Sequence, residues 1–342
     1  MKKDIKSMLL TQLKDEFSAM GLPSYRAGQV YSWLHIKKVD EFAQMSNIPK
    51  DLRSELENCF EIYSCSIERK QVSAVDSTVK YLFRLHDGEL VESVIMKYKY
   101  GYTVCVSTQA GCKMGCAFCA STVGGFRRHL TPSEILSQLY TAEKDLDITV
   151  SHIVLMGMGE PLDNYDNVMR FIELITNADG HNISMRNISL STCGIVPRIY
   201  DLLEKKLQLT LSISLHAPFD ELRSQIMPVN KTYHIDELIA ACRKYAKDSS
   251  RRISFEYAML AGVNDTDECA KTLAAKLKGM LCHVNLIPVN EVAESPFHPS
   301  SPQRVKEFTQ ILEKNGINTT VRRKLGSDID ASCGQLRLRH KD

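Results

Sequence analysis

Three cysteines are the residues best suited by type and spacing to bind a metal: Cys112, Cys116 and Cys119, in a CxxxCxxC pattern. Thiolates so close along the chain can converge on one metal centre. Three ligands are one fewer than a structural zinc ion or a fully ligated four-iron cube takes. A three-cysteine cube leaves one iron open to a substrate, whereas a zinc site would need a further ligand such as His129. The position of the pattern, in a loop after the first strand of a β/α region, favours the iron–sulfur cluster.

The elements before residue 99 divide into a helical part and a hairpin part. Apolar residues recur at helical spacing in three stretches, near residues 9–20, 25–35 and 49–59. The period then changes to two over residues 79–85, and Asp87-Gly88 turns the chain into residues 91–96, which predicts a β-hairpin. We therefore expect a helical N-terminal accessory domain over residues 1–60, a β-hairpin connecting segment over 61–98 and an α/β core over 99–342.

Strands and helices alternate in that core. Short apolar runs predict strands at residues 104–107, 153–156, 188–191, 209–215, 253–257 and 284–287. Helical patterns lie near residues 132–145, 166–177, 196–205, 235–247, 267–278 and 302–315. Two of these helices begin at a capping residue followed by proline, at Thr131 and Ser301. Six β/α units predict a parallel sheet, either open and doubly wound or a partial barrel, with the functional residues at the carboxyl ends of its strands.

The composition excludes several classes of protein. The 342 residues are 44% hydrophobic and 25% charged, which rules out disorder and low-complexity fibres. No stretch approaches the ~20 apolar residues of a membrane span, and the charged N-terminal stretch lacks the apolar core of a signal peptide. We expect a cytoplasmic monomer without membrane contact, whose 11 cysteines are largely reduced. The net charge of +2 identifies no partner.

The cysteine pattern, with an aromatic residue before its last cysteine, resembles the signature of the radical S-adenosylmethionine (SAM) enzymes. Six segments resemble the RlmN family, in that family's order. They are Val-Ser-Thr-Gln-Ala-Gly-Cys112, Met-Gly-Met-Gly-Glu160-Pro-Leu, Ser-Leu-Ser191-Thr-Cys-Gly-Ile-Val-Pro197, Ser214-Leu-His216-Ala-Pro218, Val-Asn-Leu-Ile-Pro-Val-Asn290 and Asp328-Ile-Asp-Ala-Ser-Cys333-Gly-Gln-Leu336. The resemblance covers almost the whole chain and implies a partial (β/α)6 TIM-like radical SAM barrel, with the helical accessory domain and the β-hairpin as additions.

The resemblance implies which residues bind the cofactors. Cys112, Cys116 and Cys119 would hold a [4Fe-4S] cluster whose open iron binds the amino and carboxylate groups of SAM. Further SAM contacts are implied at the strand ends, by Gly159, Glu160, Ser191, Ser214, Leu215, His216 and Asn290. Taken singly, each of these is also an ordinary turn or core residue, so their assignment rests on the resemblance.

The resemblance also implies that each turnover uses two SAM molecules. The first would methylate the thiolate of Cys333. The second, bound at the cluster, would yield a 5′-deoxyadenosyl radical that activates this methyl group for addition to adenine. Glu92 would accept the ring proton, with Cys105 as a competing candidate, and Cys105 would then attack the sulfur of Cys333. The disulfide formed has to be reduced in each cycle, and the electron for SAM cleavage would come from a protein such as flavodoxin or ferredoxin.

RNA is the implied substrate. RlmN enzymes methylate C2 of an adenosine in the peptidyl-transferase centre of 23S ribosomal RNA and, in some bacteria, C2 of an adenosine in the anticodon loop of tRNA. Cfr-type relatives methylate C8 of the same ribosomal adenosine, but the segment Ala-Ser-Thr-Val-Gly-Gly-Phe-Arg after the cysteines is closer to the C2 enzymes. Basic residues cluster at 127–129, 205–206, 251–252, 322–324 and 337–341, and the groups that flank the motifs would contact phosphates. The helical N-terminal accessory domain would supply a further RNA-binding surface. A different alternative, a non-catalytic RNA-binding protein with a structural metal site, would need neither Cys105 nor Cys333.

Overall fold

Helices form most of the first sixty residues of the computed structural model, which describes residues 2–289, 296–323, 325–326 and 328–329. This part comprises β1 (Lys3–Asp4), α1 (Leu10–Ala19), α2 (Ser24–His35), α3 (Lys50–Cys59) and β2 (Phe60–Glu61). The two short strands pair in parallel, so the beginning and end of this part meet. The three helices predicted from apolar periodicity are confirmed, each within a residue or two of the expected ends.

Four antiparallel strands follow: β3 (Ser66–Val72), β4 (Val79–Arg84), β5 (Leu90–Tyr98) and β6 (Gly101–Cys105). The predicted hairpin is confirmed as β4 and β5, which pair with Val79 opposite Ile95. Strand β3 was not predicted, because its side chains are almost all exposed and show no apolar alternation. Since β5 also pairs with β6, the hairpin extends the main sheet as well as connecting two parts of the chain.

The rest of the chain alternates between strands and helices after a loop bounded by the short antiparallel strands β7 (Gln109–Ala110) and β8 (Arg128–His129). The elements are α4 (Pro132–Leu146), β9 (Val150–Leu155), α5 (Tyr165–Ile175), β10 (Ile188–Thr192), α6 (Val196–Glu204), β11 (Thr210–Ser214), α7 (Asp220–Ile226), α8 (Ile235–Ser249), β12 (Ile253–Met259), α9 (Asp267–Leu277), β13 (Cys282–Pro288), α10 (Pro302–Lys314) and β14 (Thr319–Val321). No helix in the described ranges is long and apolar enough to cross a membrane.

The strand order decides between the two sheet types that the sequence allowed. In the ten-stranded sheet the order is β14-β13-β12-β11-β10-β9-β6-β5-β4-β3, so each parallel strand lies beside the next one along the chain. A doubly wound sheet would reverse its order at a switch point, whereas a barrel adds strands in one direction. The sheet is therefore a partial barrel that remains open, with β14 and β3 at its two ends. The six predicted parallel strands are confirmed, and β14 adds a seventh.

Polar contacts attach the N-terminal helical part to helix α4. Its first turn is the predicted capping box, in which Thr131 and Glu134 exchange main-chain to side-chain hydrogen bonds. The carboxylate of Asp4 accepts a hydrogen bond of 2.6 Å from the Ser133 hydroxyl. The buried ammonium of Lys6 donates to the hydroxyl of Ser137, on α4, at 3.4 Å. These polar contacts fix the helical part against the helix that directly follows the cysteine loop.

A buried histidine between α2 and α4 is expected to make the fold sensitive to acid. Burial lowers the pKa of His35 to about 3, and Nδ1 of His35 lies 3.1 Å from the Tyr140 hydroxyl. An unfolded chain protonates histidine near pH ~6.5, so the unfolded state binds more protons between these values and stability falls as the pH drops below ~6.5. The loss should approach ~1.4 kcal/mol per pH unit.

Urea unfolding at pH 7, 6 and 5 measures this dependence, with the variant His35→Gln as the control. The variant should be less stable at pH 7 but should lose less free energy of unfolding between pH 7 and 5 than the wild type. Equal losses in the two proteins would show that His35 is not protonated on unfolding.

Candidate functional site

The carboxyl ends of the parallel strands surround a cavity of about 380 Å³. Most of the residues singled out in the sequence line it together. They are Cys105, Cys112, Cys116, Cys119, Gly159, Glu160, Ser191, Ser214 and His216. The cavity therefore combines the cysteine loop, the end of β6 and the segments that follow β9, β10 and β11, as expected where parallel strands end on one side of a sheet.

The cysteine loop is held in place by main-chain contacts. Gly111 has a φ of +81°, and a Cβ there would lie 1.8 Å from the Gly125 carbonyl oxygen, so only glycine fits. The Ala117 N–H donates to the Ile226 carbonyl at 2.9 Å, which joins the loop to α7. Within the loop, the Cys119 N–H donates to the Cys116 carbonyl at 3.1 Å. These bonds fix the direction of the loop across the cavity wall.

The three thiols fit a cluster better than a single ion. Tetrahedral zinc, with zinc–sulfur distances of about 2.3 Å, draws its sulfur ligands to within roughly 4 Å of one another. The three thiols line one cavity, and three cysteines can each bind a different corner of a four-iron cube and leave its fourth iron open. One ring nitrogen of His129, the fourth ligand considered for zinc, is already in contact with Gln109, at 3.0 Å between Nδ1 and Nε2 of the glutamine.

Burial of these thiols affects the conditions under which they can bind a metal. It raises the pKa of the Cys112 thiol to about 12 and that of Cys116 above its usual range. A thiolate is the form that binds metal, so a cationic centre must displace the protons. The wall is thus suited to a metal cluster that binds while the thiols lose their protons.

Glu160 is the buried acid of the cavity. Its two carboxylate oxygens accept main-chain hydrogen bonds, from Leu162 at 3.0 Å and from Cys193 at 2.7 Å. Burial raises the pKa of Glu160, and these hydrogen bonds partly offset that effect. Gly159 adopts a φ of +100°, and a Cβ there would lie 2.6 Å from the Cβ of Gln109. The carboxylate is therefore placed rigidly and can attract a positively charged group of a ligand.

The opposite side of the cavity offers hydroxyl and imidazole groups. Ser191 and Ser214, on β10 and β11, have hydroxyl oxygens 3.4 Å apart. Nδ1 of His216 accepts a hydrogen bond of 2.9 Å from the Ala258 N–H, and burial lowers the pKa of His216 to about 3. A neutral imidazole that accepts at Nδ1 carries its proton on Nε2, so His216 presents a donor. With Glu160, this wall can bind a ligand that has both ammonium and hydroxyl or carboxylate groups.

Comparisons with known proteins extend over nearly the whole chain. The sequence matches the Radical SAM superfamily over residues 106–274 and the ribosomal RNA large subunit methyltransferase N-terminal domain over residues 3–62. It is 49% identical over 341 residues to the probable dual-specificity RNA methyltransferase RlmN of Lachnoclostridium phytofermentans, covering 100% of this chain and 96% of that one. The chain belongs to the RlmN family.

Other relatives agree with the RlmN assignment. The probable dual-specificity RNA methyltransferase RlmN of Thermoanaerobacter sp. (strain X514) is 50% identical over 337 residues, with 98% of each chain covered. The crystal structure of a radical SAM methyltransferase from Sphaerobacter thermophilus superimposes with a TM-score of 0.93 at 42% identity, covering 97% of this chain and 98% of that one. Membership of the radical SAM superfamily implies a [4Fe-4S] cluster and SAM, and it rules out the alternative of a non-catalytic protein with a structural metal site.

Not every residue that the RlmN resemblance implied lines the cavity. The side chain of Leu215 is fully buried in the main core instead. Glu92, on β5, forms an ion pair of 2.6 Å with Lys80 on β4, and both side chains are almost completely buried. Asn290 and Cys333 lie outside the described residues. The roles of these four residues stay predictions.

Two residues of the RlmN site were missed in the sequence. Cys193, to which the sequence analysis assigned no role, lines the cavity, and its N–H donates to the carboxylate of Glu160. Arg223, on α7, is fully buried and donates to the carbonyls of Cys193 at 2.6 Å and Leu215 at 3.0 Å. It thereby ties together the segments that follow β10 and β11. A lone arginine in a seven-residue helix gives no sequence signal for this role.

The basic groups near the cavity differ in their availability. Arg128 forms ion pairs with Glu134 at 2.8 Å and with Asp87 at 2.6 Å. Its charge is therefore used in contacts within the protein. Arg322 and Arg323, just after β14, line the cavity and are partly or fully exposed. These two residues are the better candidates for contact with a phosphate backbone, a role that stays a prediction.

The variant Glu160→Gln is expected to weaken SAM binding about tenfold or more while the iron content stays unchanged. Loss of the charge removes an ionic contact, whereas the amide oxygen still accepts one of the two main-chain hydrogen bonds. Equilibrium dialysis with SAM on the iron-loaded protein measures the effect. Glu173→Gln, at an exposed position on α5, is the control. An unchanged SAM dissociation constant would exclude Glu160 from the binding site.

Proposed function

We propose that this protein is an RNA methyltransferase that transfers a one-carbon unit to C2 of an adenosine, in 23S ribosomal RNA and in the anticodon loop of tRNA. The observation that carries the proposal is Cys105, a thiol outside the cluster pattern that lines the same cavity as Cys112, Cys116 and Cys119. An enzyme that methylates by simple displacement needs no such thiol. The names of the relatives, which are dual-specificity RNA methyltransferases, support two RNA substrates.

The chemistry needs a carbon that can add to the electrophilic C2 position. When bound, the cluster and SAM supply a methyl group and a carbon radical that activates it, with two SAM molecules used per turnover. The residues of the cavity bind and orient these groups: the three cysteines of the loop hold the cluster, and Glu160, Ser191, Ser214 and His216 hold SAM. We assign Asn290, and the main chain of Leu215, to the same SAM site.

Two cysteines carry the carbon and release it. The thiolate of Cys333 accepts a methyl group, and after hydrogen abstraction the methylene carbon joins C2 of adenine while still bound to sulfur. The adduct loses the C2 proton, and its unpaired electron would return to the cluster. Cys105 then attacks the sulfur of Cys333, the carbon–sulfur bond breaks, and its electron pair goes to the carbon, which takes a proton. The product is methylated RNA and a disulfide between residues 105 and 333, which a cellular thiol system reduces.

The surroundings of Cys105 suit a resolving thiol. It ends β6, where it pairs with Val94, and its side chain packs with Val94, Met96 and Leu325. The Cys105 carbonyl accepts a hydrogen bond of 2.6 Å from the Ser93 hydroxyl. A strand end fixed in this way directs the sulfur to one point of the cavity, and Leu325 packs beside it.

The acceptor of the ring proton is either Glu92 or Cys105. Glu92 contacts Lys80 at 2.6 Å, and its side chain is not among those that line the cavity. Cys105 lines the cavity and needs to lose its own proton first. Glu92→Gln separates the two: an adduct that still loses the C2 proton in this variant assigns the step to Cys105.

The function is tested by analysing modified adenosines from a strain that lacks the gene, with and without this chain. Ribosomal and transfer RNA are purified separately, digested to nucleosides and analysed by mass spectrometry with 2-methyl- and 8-methyladenosine standards. We expect 2-methyladenosine in both fractions, and none with the Cys112→Ala chain. 8-Methyladenosine would instead assign the Cfr-type reaction. Flavodoxin and ferredoxin, added in turn to the purified enzyme in vitro, identify the electron donor.

A further inference from the structure

The turn between β3 and β4, residues 73–78, is organised around two polar side chains. The Ser73 hydroxyl accepts main-chain hydrogen bonds from Val75 at 3.1 Å and Asp76 at 3.3 Å. The carboxylate of Asp76 accepts one from the Thr78 N–H at 3.0 Å. Both side chains are thus held by their own turn, with the hydroxyl proton of Ser73 and one oxygen of Asp76 left to bind a further partner.

That partner is the segment after β14. Ser73 donates its hydroxyl proton to the carboxylate of Asp328 at 2.6 Å, and the Ala74 N–H donates to the other oxygen of this carboxylate at 2.8 Å. In the opposite direction, the Gly326 N–H donates to the carboxylate of Asp76 at 2.7 Å. The contacts are reciprocal and join residues about 250 positions apart in the chain.

The same segment meets the cavity on its other side. Leu325 lines the cavity and packs against the cluster formed by Val94, Met96 and Cys105. Thr78, at the end of the turn, also lines the cavity. Cys333 follows Asp328 by five residues, which span at most about 18 Å even when fully extended. Fixing Asp328 therefore limits how far the thiol of Cys333 can be from Cys105 and from the cavity.

We propose that the 73–78 turn is a positioning element for the methyl-carrying cysteine: Ser73, Ala74 and Asp76 hold Asp328 and Gly326, so that Cys333 is delivered to the cavity. This inference rests on the proposed role of Cys333 as the carrier. Under this proposal, the antiparallel strands β3 and β4 contribute to the reaction because they place the 73–78 turn next to the cavity. Asp328 acts through the chain and touches no reacting atom, so it is a positioning residue.

A purely local role for these hydrogen bonds makes a different prediction. Contacts that only stabilise the turn would change the unfolding of the protein and leave the rate of Cys333 methylation unchanged. Positioning would change that rate while cluster loading, SAM binding and thermal unfolding stay the same. The first methyl transfer, which needs no RNA, isolates the step in which the location of Cys333 matters.

The test uses the full-length enzyme, loaded with iron and sulfide, in single-turnover reactions with SAM and no RNA. Mass spectrometry of the Cys333 peptide follows its methylation over time. Asp328→Ala should slow methylation about fivefold to tenfold, because it loses two hydrogen bonds, one of them to a main-chain N–H. Asp328→Asn, which keeps an acceptor oxygen, should fall between this variant and the wild type. Val75→Ala, in the same turn but at a solvent-exposed side chain, should match the wild type.

Each outcome of this experiment is decisive. A wild-type rate in Asp328→Ala, with Cys333 fully methylated in the wild type, overturns the positioning role and leaves the proposed function intact. Absence of methyl from Cys333 in the wild-type enzyme overturns the carrier role and the positioning role together. Slow methylation accompanied by loss of iron or by a lower unfolding temperature also overturns the proposal, because the effect would then be structural.

Discussion

Cells that express the Cys105→Ala variant are expected to yield enzyme covalently bound to RNA, whereas Cys333→Ala enzyme carries none. The difference follows from the order of the steps. In the proposed mechanism Cys333 carries the carbon, so its loss stops the reaction before RNA is touched. In the same mechanism Cys105 acts only after the carbon–carbon bond has formed, so its loss leaves the methylene bridge between Cys333 and adenine unbroken. The adduct should accumulate until most active enzyme is blocked.

Ribonuclease digestion followed by mass spectrometry measures this adduct. The Cys333 peptide should carry a nucleotide mass in the Cys105→Ala protein and in no other variant. Cys59→Ala, which removes an exposed thiol on α3, is the matched control and should contain free enzyme only. Normal turnover of the Cys105→Ala protein without bound RNA would remove the resolving step from the mechanism.

The second large effect is expected at the cluster cysteines. Each of Cys112→Ala, Cys116→Ala and Cys119→Ala should lose nearly all of the about four iron atoms per chain and all methylation, because a cube with three protein ligands has none to spare. Iron and sulfide analysis after anaerobic reconstitution measures the loss, and the brown absorption of the cluster should disappear with it.

A neighbouring thiol provides a strict control for this assignment. Cys193 lines the same cavity as the three cysteines of the loop, and burial holds its pKa well above the usual range. Cys193→Ala should therefore retain iron and sulfide at the wild-type level. Loss of iron in this variant, or retention in any of the three loop variants, would mean that the ligands have been assigned to the wrong thiols.

Much of the fold follows from local sequence signals. The strands of the parallel sheet are short apolar runs between helical patterns, because a strand covered on both faces needs apolar side chains throughout. The helix after the cysteine loop starts at a capping box, and the sequence Thr131-Pro132-Ser133-Glu134 predicts this box directly. Such signals depend only on residues a few positions away in the sequence. They can therefore be recognised without knowing the rest of the structure.

The two strands that were not predicted, β14 and β3, contain few buried apolar residues and so show no clear apolar pattern. Strand β14 has three residues and lies at the end of the sheet, where its hydrogen bonds to β13 define it better than its side chains do. Strand β3 is an exposed strand at the opposite end, with polar residues on both faces. The choice of a partial barrel was also open, because the order of strands is a property of the whole chain.

The residues of the candidate site also differ in whether local sequence or only the complete fold identifies them. The three cysteines of the loop stand out from their spacing alone, since all three lie within eight residues, and the structure places them in one cavity. The proposed SAM contacts lie at separate strand ends and were inferred only through the resemblance to RlmN. Arg223 had no signal at all, because its burial depends on carbonyl groups at strand ends that the fold brings to it.

The ion pair between Lys80 and Glu92 has a consequence for how this family can evolve. Each charge is buried 2.6 Å from the other, and removing one partner of such a pair costs roughly 3–5 kcal/mol. A lineage is therefore expected to keep both charges or to exchange both together, so that the two positions covary. Selection for stability alone would preserve the carboxylate of Glu92, even in a descendant in which another group accepts the proton.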